Sequence, residues 1–335
     1  MGASLKKLMN DPAAYVDESL DGLCAAFDGY RRTGRAGRVI ARSDAPTHGR
    51  VGVVSGGGFG HLPLFAGYVA TGMLDACAVG NVFAGPPADI CADALRAADG
   101  KSGVICVLGN YGGDRMSFAE ACDEFADQGG NSTTVIVADD IASAPQAEAG
   151  KRRGVAGTVF AFKVAGASAA RGDNLKTVAS LTRETVDRTR SIGVALSPCL
   201  IPGASEPGFA VPEGKIEIGM GIHGEPGVEE RALGAADEVT AAMIERLLAD
   251  GVGKRSQRVA VLVNSLGATP LEELLIVYRQ VQRLLRARDI DIARRYVGHY
   301  ATSMEMAGCS ISLLELDPEI DALLAAPTGC PFWPR

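Results

Sequence analysis

Between residues 51 and 138 the chain alternates short, β-branched apolar runs with segments of helical apolar spacing, and few folds accept that order. Runs at 51–55, 77–83, 104–108 and 134–138 predict strands, and 62–71, 88–98 and 118–128 predict the helices between them. Strands separated by helices cannot pair as hairpins. They lie parallel, joined by right-handed crossovers that cover the sheet with helices. Longer helical stretches follow at 158–171 and 175–190. The second half restarts with strands at 193–197, 215–220, 259–264, 295–300 and 310–316, and helices at 238–249 and 271–288. Fewer helices per strand predict a mixed-sheet α+β layer there. At 335 residues the chain exceeds one typical domain. The expectation is an α/β protein of two domains, 1–188 with a mainly parallel sheet and 189–335 with a mixed one. No linker-like stretch separates them, so they should dock tightly.

Composition narrows the function classes. A net charge of −7 argues against a nucleic-acid surface, and no apolar run approaches the length of a membrane span. The first residues, Met1 to Lys7, lack the apolar core of a signal peptide, and Lys6 stands where a myristoylation motif needs Ser or Thr. A cytoplasmic protein is expected. The cysteines at 24, 77, 91, 106, 122, 199, 309 and 330 form no CxxC pair. They read as thiols in a reducing compartment, with no metal site and no disulfide framework.

Candidate chemistry gathers where histidine meets glycine. Ile218-Gly219-Met220-Gly221-Ile222-His223-Gly224-Glu225-Pro226-Gly227 is too glycine-rich for an ordinary helix or strand. An imidazole held open there suits a nucleophile or an acid–base group, and equally a capped core histidine beside a tight turn. Ser55-Gly56-Gly57-Gly58-Phe59-Gly60-His61 reads as a strand end running into a glycine loop that opens a helix. Its backbone N–H groups would suit an anion or a hydroxyl, or the loop is a bare turn. A dinucleotide fingerprint fails, because His61 stands where the third glycine belongs, and no Walker loop is present.

Asn110-Tyr111-Gly112-Gly113-Asp114 ends the next strand and should bring Asp114 to the same sheet edge as His61. Asp114 can be a general base, a partner that orients a histidine, or a helix cap. Asp139-Asp140 suits a cap or solvated turn better than a metal site. In the second half, 263–271 predicts a strand end leading into a helix, with Thr269 as N-cap, Pro270 at N1 and a role in packing or docking. Ser265 lacks the Gly-x-Ser-x-Gly context of a hydrolase nucleophile. His48 and His299 lie outside glycine-rich loops.

Taken together and in this order, Ser55–His61, Asn110–Asp114, Arg153-Gly154-Val155-Ala156-Gly157-Thr158, Ala195-Leu196-Ser197-Pro198-Cys199, Gly219–Gly227 and Asn264–Pro270 closely resemble the substrate-binding K subunit of dihydroxyacetone kinases. The resemblance implies that His223 adds through Nε2 to a substrate keto carbon to form a hemiaminal, while Asp114 takes the proton from the terminal hydroxyl. It implies that His61 bonds to the substrate, and that Gly57, Gly58, Phe59 and Gly60 line the site. It also implies a homodimer. Covalent capture would distinguish a ketone from a polyol and fix its hydroxyl for transfer. Nothing in this chain supplies a nucleotide–Mg²⁺ site. By resemblance, ATP or ADP with Mg²⁺ belongs to a separate L-type subunit or a fused L domain, and the former is expected.

Common members read Gly-Ser-Gly-His-Glu-Pro where this chain has Gly58-Phe59-Gly60-His61-Leu62-Pro63, and they carry a substrate-contacting lysine where Gly109 stands. Losing donors changes discrimination among hydroxylated ketones. A tetrulose such as erythrulose is therefore a candidate substrate beside dihydroxyacetone. The chief alternative is a ketone-sensing paralogue that co-regulates transcription, and retention of Asp114 beside His61 argues against it. A dinucleotide-dependent oxidoreductase fits worst, for want of the fingerprint.

Overall fold

A computed structural model describes residues 6–334. Of the segment Met1 to Lys7 read above for a leader or lipid signal, residues 1–5 lie outside the described residues.

The first sheet contains β1 (Tyr30–Thr33), β2 (Val39–Arg42), β3 (Gly52–Phe59), β4 (Ala76–Val82), β5 (Val104–Gly109) and β6 (Ser132–Val137), in the order β1-β2-β4-β3-β5-β6. Strands β4, β3, β5 and β6 are parallel, as the alternation predicts. The β1–β2 hairpin adds an antiparallel edge. Apolar alternation hardly marks it, because arginines anchor it: Arg32 pairs with Asp17 and Asp21, and Arg42 with Asp75. Successive strand residues face opposite sides. Val54 and Cys106 meet α2 (Ala88–Ala98) and α3 (Gly112–Asp127), while Val53, Ile105 and Val107 meet α4 (Thr158–Arg171) and α5 (Leu175–Asp187). A further helix, α1 (Tyr15–Ala26), joins this second face.

The second sheet is mixed. It orders β7 (Thr189–Ala195), β8 (Lys215–Ile218), β9 (Glu229–Ala232), β10 (Arg258–Ser265), β11 (Asp291–Gly298) and β12 (Gly308–Glu315) as β11-β10-β12-β7-β8-β9, and only β10–β11 is parallel. One face packs on α6 (Ala236–Ala249) and α7 (Leu271–Arg286). The opposite face, through Ala260, Leu262 and Tyr296, shares a core with α4. Helix α4 thus lies between the two sheets, which is why every residue from Thr158 to Ala169 is buried. Even Lys163 is enclosed, its ammonium donating to the Leu323 carbonyl at 2.8 Å. The last helix, α8 (Pro318–Ala325), packs on α4 as well. No described helix is long and apolar enough to cross a membrane.

Several local expectations fail for physical reasons. Residues 62–71 form turns around a short 3₁₀ segment, Ala66–Tyr68, instead of a helix. Pro63 lacks an N–H, and Phe65 takes a left-handed φ of 68°, so the i→i+4 ladder cannot run. Gly56, Gly57 and Gly58 continue β3 instead of forming a loop. A side chain at Gly56 or Gly57 would collide with the ring of Phe118 or Phe65, so these glycines admit aromatic packing on both faces of the sheet. Thr269 does not cap α7: its Oγ1 accepts from the Gly308 N–H at 2.7 Å, and Pro270 takes the N-cap position. The strand expected at 295–300 sits earlier, as Asp291–Gly298.

Candidate active site

Chain direction reverses around β3. From β3 the chain crosses to β4 on one side, then to β5 on the other. That reversal makes the carboxyl ends of β3 and β5 the switch point, the crevice position at which open α/β sheets place ligands. His61 follows β3 by two residues, and Asp114 is the third residue of α3, just beyond β5. Gly60 makes the turn with φ +107°, and a side chain there would come within 2.8 Å of the Phe83 ring. His61 is thereby fully buried, with Phe83 stacked on it at 5.0 Å.

The second layer reaches the same crevice with two loops. Residues 299–307, between β11 and β12, dock on the β3 loop. Met304 N–H donates to the Gly60 carbonyl at 2.8 Å, and Thr302 Oγ1 donates to the Leu62 carbonyl at 2.8 Å. The Thr302 carbonyl lies 2.8 Å from His61 Nδ1. A carbonyl only accepts, so Nδ1 carries the proton and Nε2 the lone pair. Asn264 braces this loop through Ala301 and Tyr300, which gives the β10 end the docking role expected of it. Ser303 Oγ then donates to the Ile222 carbonyl at 2.5 Å, tying the docking loop to the β8–β9 connection that carries His223.

His223 is held differently. Its Nδ1 lies 3.0 Å from Glu225 Oε1, and its backbone N–H donates to Glu225 Oε2 at 3.0 Å. In the neutral imidazole Nδ1–H donates to the carboxylate, which again leaves Nε2 free. Three rings stand edge-on around it: His61 at 4.7 Å, Tyr111 at 4.8 Å and Phe83 at 5.6 Å. Tyr111 is fixed by its hydroxyl, which donates to the Gly154 carbonyl at 3.0 Å.

Burial sets the charges. It pushes the Asp114 carboxyl up to about 6, with the positive form of His223 pulling part of the way back. Burial, then the charge of His223, depresses His61 to about 3, so its ring is neutral. For Glu225, burial acts upward, but the hydrogen bond and charge of His223 win and bring it down to about 2. Asp114 Oδ1 and His61 Nε2 are buried and have no hydrogen-bond partner in the protein. Such atoms are costly to leave unpaired, and here they belong to two side chains that both sense the charge of His223. Asp114 does not cap α3, which starts from Tyr111 without a side-chain cap. Its Oδ1 sits over Gly85, where a Cβ would approach to 2.2 Å.

The structure therefore gathers His61, Asp114 and His223 with Gly60. At Gly109 the space above the α-carbon is taken by the Tyr111 ring, 3.0 Å from where a Cβ would stand. Phe59 is buried in the core against Tyr15, with centroids 6.1 Å apart. Gly57 and Gly58 are buried in β3. The other candidates lie apart: His48 is exposed, His299 contacts the Gly267 carbonyl, and Asp139 accepts from Val155 and Gly157 at the start of α4. Sequence reasoning missed Glu225, Thr302, Phe83 and Tyr111 as parts of the site. Among the described residues, no three His, Cys, Asp or Glu side chains converge on a metal position.

The arrangement offers a free imidazole nitrogen, a carboxylate poised to take a proton near neutrality, and a second neutral imidazole that accepts a hydrogen bond. The Dak1 domain model matches residues 21–332. The chain is 40% identical over 99% of its length to D-erythrulose kinase of Mycolicibacterium smegmatis, of which it spans 57%. It is 37% identical to the dihydroxyacetone-binding subunit DhaK of the PEP-dependent dihydroxyacetone kinase of Escherichia coli, with 98% of each chain covered. The crystal structure of the dihydroxyacetone kinase from C. freundii in complex with AMP-PNP and Mg2+ superposes with a TM-score of 0.91 at 32% identity, covering 98% of this chain and 61% of that one. The chain thus spans just over half the length of the erythrulose kinase it matches, and it belongs to the Dak1 family of dihydroxyacetone-kinase-like proteins.

Proposed function

We propose that this chain is the ketone-binding part of a short-chain ketose kinase, acting on dihydroxyacetone or a tetrulose such as erythrulose. The Nε2 lone pair of His223 forms a bond to the keto carbon, and the carbonyl π pair moves to oxygen. The positive charge left on the imidazole is stabilised by Glu225 until Nδ1 releases its proton to solvent, while the oxygen takes one proton from solvent, so that one proton is lost and one gained and the hemiaminal is neutral. Asp114 then removes the proton of the terminal hydroxyl as that oxygen attacks the phosphoryl group, and the donor's own bond to phosphorus breaks, its electron pair leaving with the donor. His61 accepts a hydrogen bond from the captured substrate through Nε2. The phosphoryl donor and Mg²⁺ sit on an L-type nucleotide-binding module that covers the crevice. Asp114 Oδ1 and His61 Nε2, buried and unpaired around His223, carry this reading. A hydroxylated ketone would satisfy both. Gly109 supports a tetrulose, because no charged donor projects from that position and an apolar ring wall remains.

Intact-protein mass spectrometry with three- to five-carbon ketoses tests the covalent step. One ketose should add to the wild-type chain, and none to His223→Ala. Asp114→Asn should keep the adduct and lose turnover with the nucleotide-binding module supplied. Full activity in both variants sinks the reading.

A further inference from the structure

The guanidinium of Arg153 occupies a fixed position behind the His223 loop. Its Nε and Nη2 both reach Asp140 Oδ2, at 2.9 and 2.7 Å, and Nη2 also donates to the Gly219 carbonyl at 2.8 Å. The backbone is anchored too, since Arg153 N–H donates to Ser143 Oγ and the Arg153 carbonyl accepts from Asp140 N–H. Only Nη1 remains, and it lies 3.8 Å from Glu225 Oε2. Gly221 makes this approach possible. A Cβ there would stand 2.0 Å from Glu225 Oε2 and 2.5 Å from Arg153 Nη1. Asp140, Arg153, Glu225 and His223 thus form one continuous chain of alternating charge and hydrogen bonds ending at the imidazole.

We propose that Arg153 is a positioning residue that acts on His223 through Glu225, holding that carboxylate aligned with Nδ1–H. The proposal rests on the hemiaminal reading above. A carboxylate that lost its cation would protonate more readily. Its neutral form can turn a proton toward Nδ1 and select the tautomer whose lone pair is on the wrong nitrogen. Asp140 has no such access, because its carboxylate is occupied by Arg153 and by the Ala142 N–H. The other titratable groups facing this loop are Tyr111, Asp139, His61, Asp114 and Glu217, whose Oε1 accepts from the Gly227 N–H. None makes a hydrogen bond to Glu225 in the described structure.

The test measures the rate of ketose adduct formation against pH, by stopped-flow quench and intact mass, for wild type, Arg153→Gln, Arg153→Lys, Gly221→Ala and His223→Ala. Removing the cation should move the acid limb set by Glu225, near 2 in the wild type, up by about one pH unit and slow addition about tenfold below it. The limb should return toward wild type in Arg153→Lys. Gly221→Ala brings a Cβ against both Glu225 Oε2 and Arg153 Nη1 and forces the two apart, so it should reproduce the shift even if Arg153→Gln folds poorly. A role in folding alone would lower the amplitude and leave the limb in place. An unshifted limb in both Arg153→Gln and Gly221→Ala, with His223→Ala unreactive, overturns this proposal alone. An adduct that persists in His223→Ala overturns the hemiaminal reading, and this proposal with it.

Discussion

His61 and His223 lie 4.7 Å apart, ring to ring, and their surroundings assign them opposite tasks. The β3 crevice buries His61 completely, stacks Phe83 on its face and gives Nδ1 a backbone carbonyl. The β8–β9 connection leaves the His223 side chain 23% exposed and gives Nδ1 a carboxylate. A carbonyl fixes a tautomer and does nothing more. A carboxylate also accepts the developing positive charge when Nε2 forms a bond. On the proposed reading, identical side chains thus become an acceptor on one loop and a nucleophile on the other. The parallel sheet supplies the first, and the mixed second layer supplies the second.

The largest expected effect comes from exchanging these tasks. His223→Ala should remove covalent addition altogether, while His61→Asn should keep the adduct and lose turnover by about 10²-fold. Equal loss of adduct in both variants would erase the distinction. Glu225→Gln keeps an acceptor for Nδ1 but removes its charge, and should slow addition by roughly 10–100-fold, the usual cost of losing an orienting partner. The equivalent contact of His61 is a main-chain carbonyl, so no side-chain substitution at Thr302 should produce that loss. An unaltered rate in Glu225→Gln would break the comparison.

Asp114 links the two loops, and its burial has a thermodynamic consequence. A carboxyl raised to about 6 in the folded chain, from 3.8, binds its proton more tightly folded than unfolded. Its contribution to stability is therefore greatest at low pH, falls as pH rises through the interval between these values, and is lost above about 6. Asp114→Asn removes the buried charge and should stabilise the protein by about 3 kcal/mol at pH 7.5, with the gain vanishing near pH 4. Denaturant titrations at both pH values measure this. Turnover should fall as pH drops through 6, when the base becomes protonated. A smaller effect is expected at Gly109→Lys. Its Cβ must displace the Tyr111 ring, and the ratio of activities on dihydroxyacetone and erythrulose should change by about tenfold.

Legibility in the sequence follows the same division. The parallel sheet was readable because its strands and helices are local patterns, and His61, Asp114 and His223 stood out through their glycine neighbours. Thr302 was invisible, because it acts through its main-chain carbonyl on a residue 241 positions away. Glu225 lay in plain view two residues from His223, and the tight turn that folds it back was the missing signal. The predicted helix at 62–71 failed at Pro63 and Phe65, beside the site, where tertiary contacts override apolar spacing. The glycines of β3 looked like a loop because their role depends on Phe65 and Phe118, which pack against them from elsewhere in the chain.

Carbon-13 NMR of the chain with a ketose labelled at the keto carbon observes the proposed bond itself. A tetrahedral-carbon resonance, present with wild type and absent with His223→Ala, is the predicted result. A bound ketose that keeps its carbonyl resonance, or a tetrahedral signal that survives loss of the imidazole, contradicts the assignment of His223 as the nucleophile.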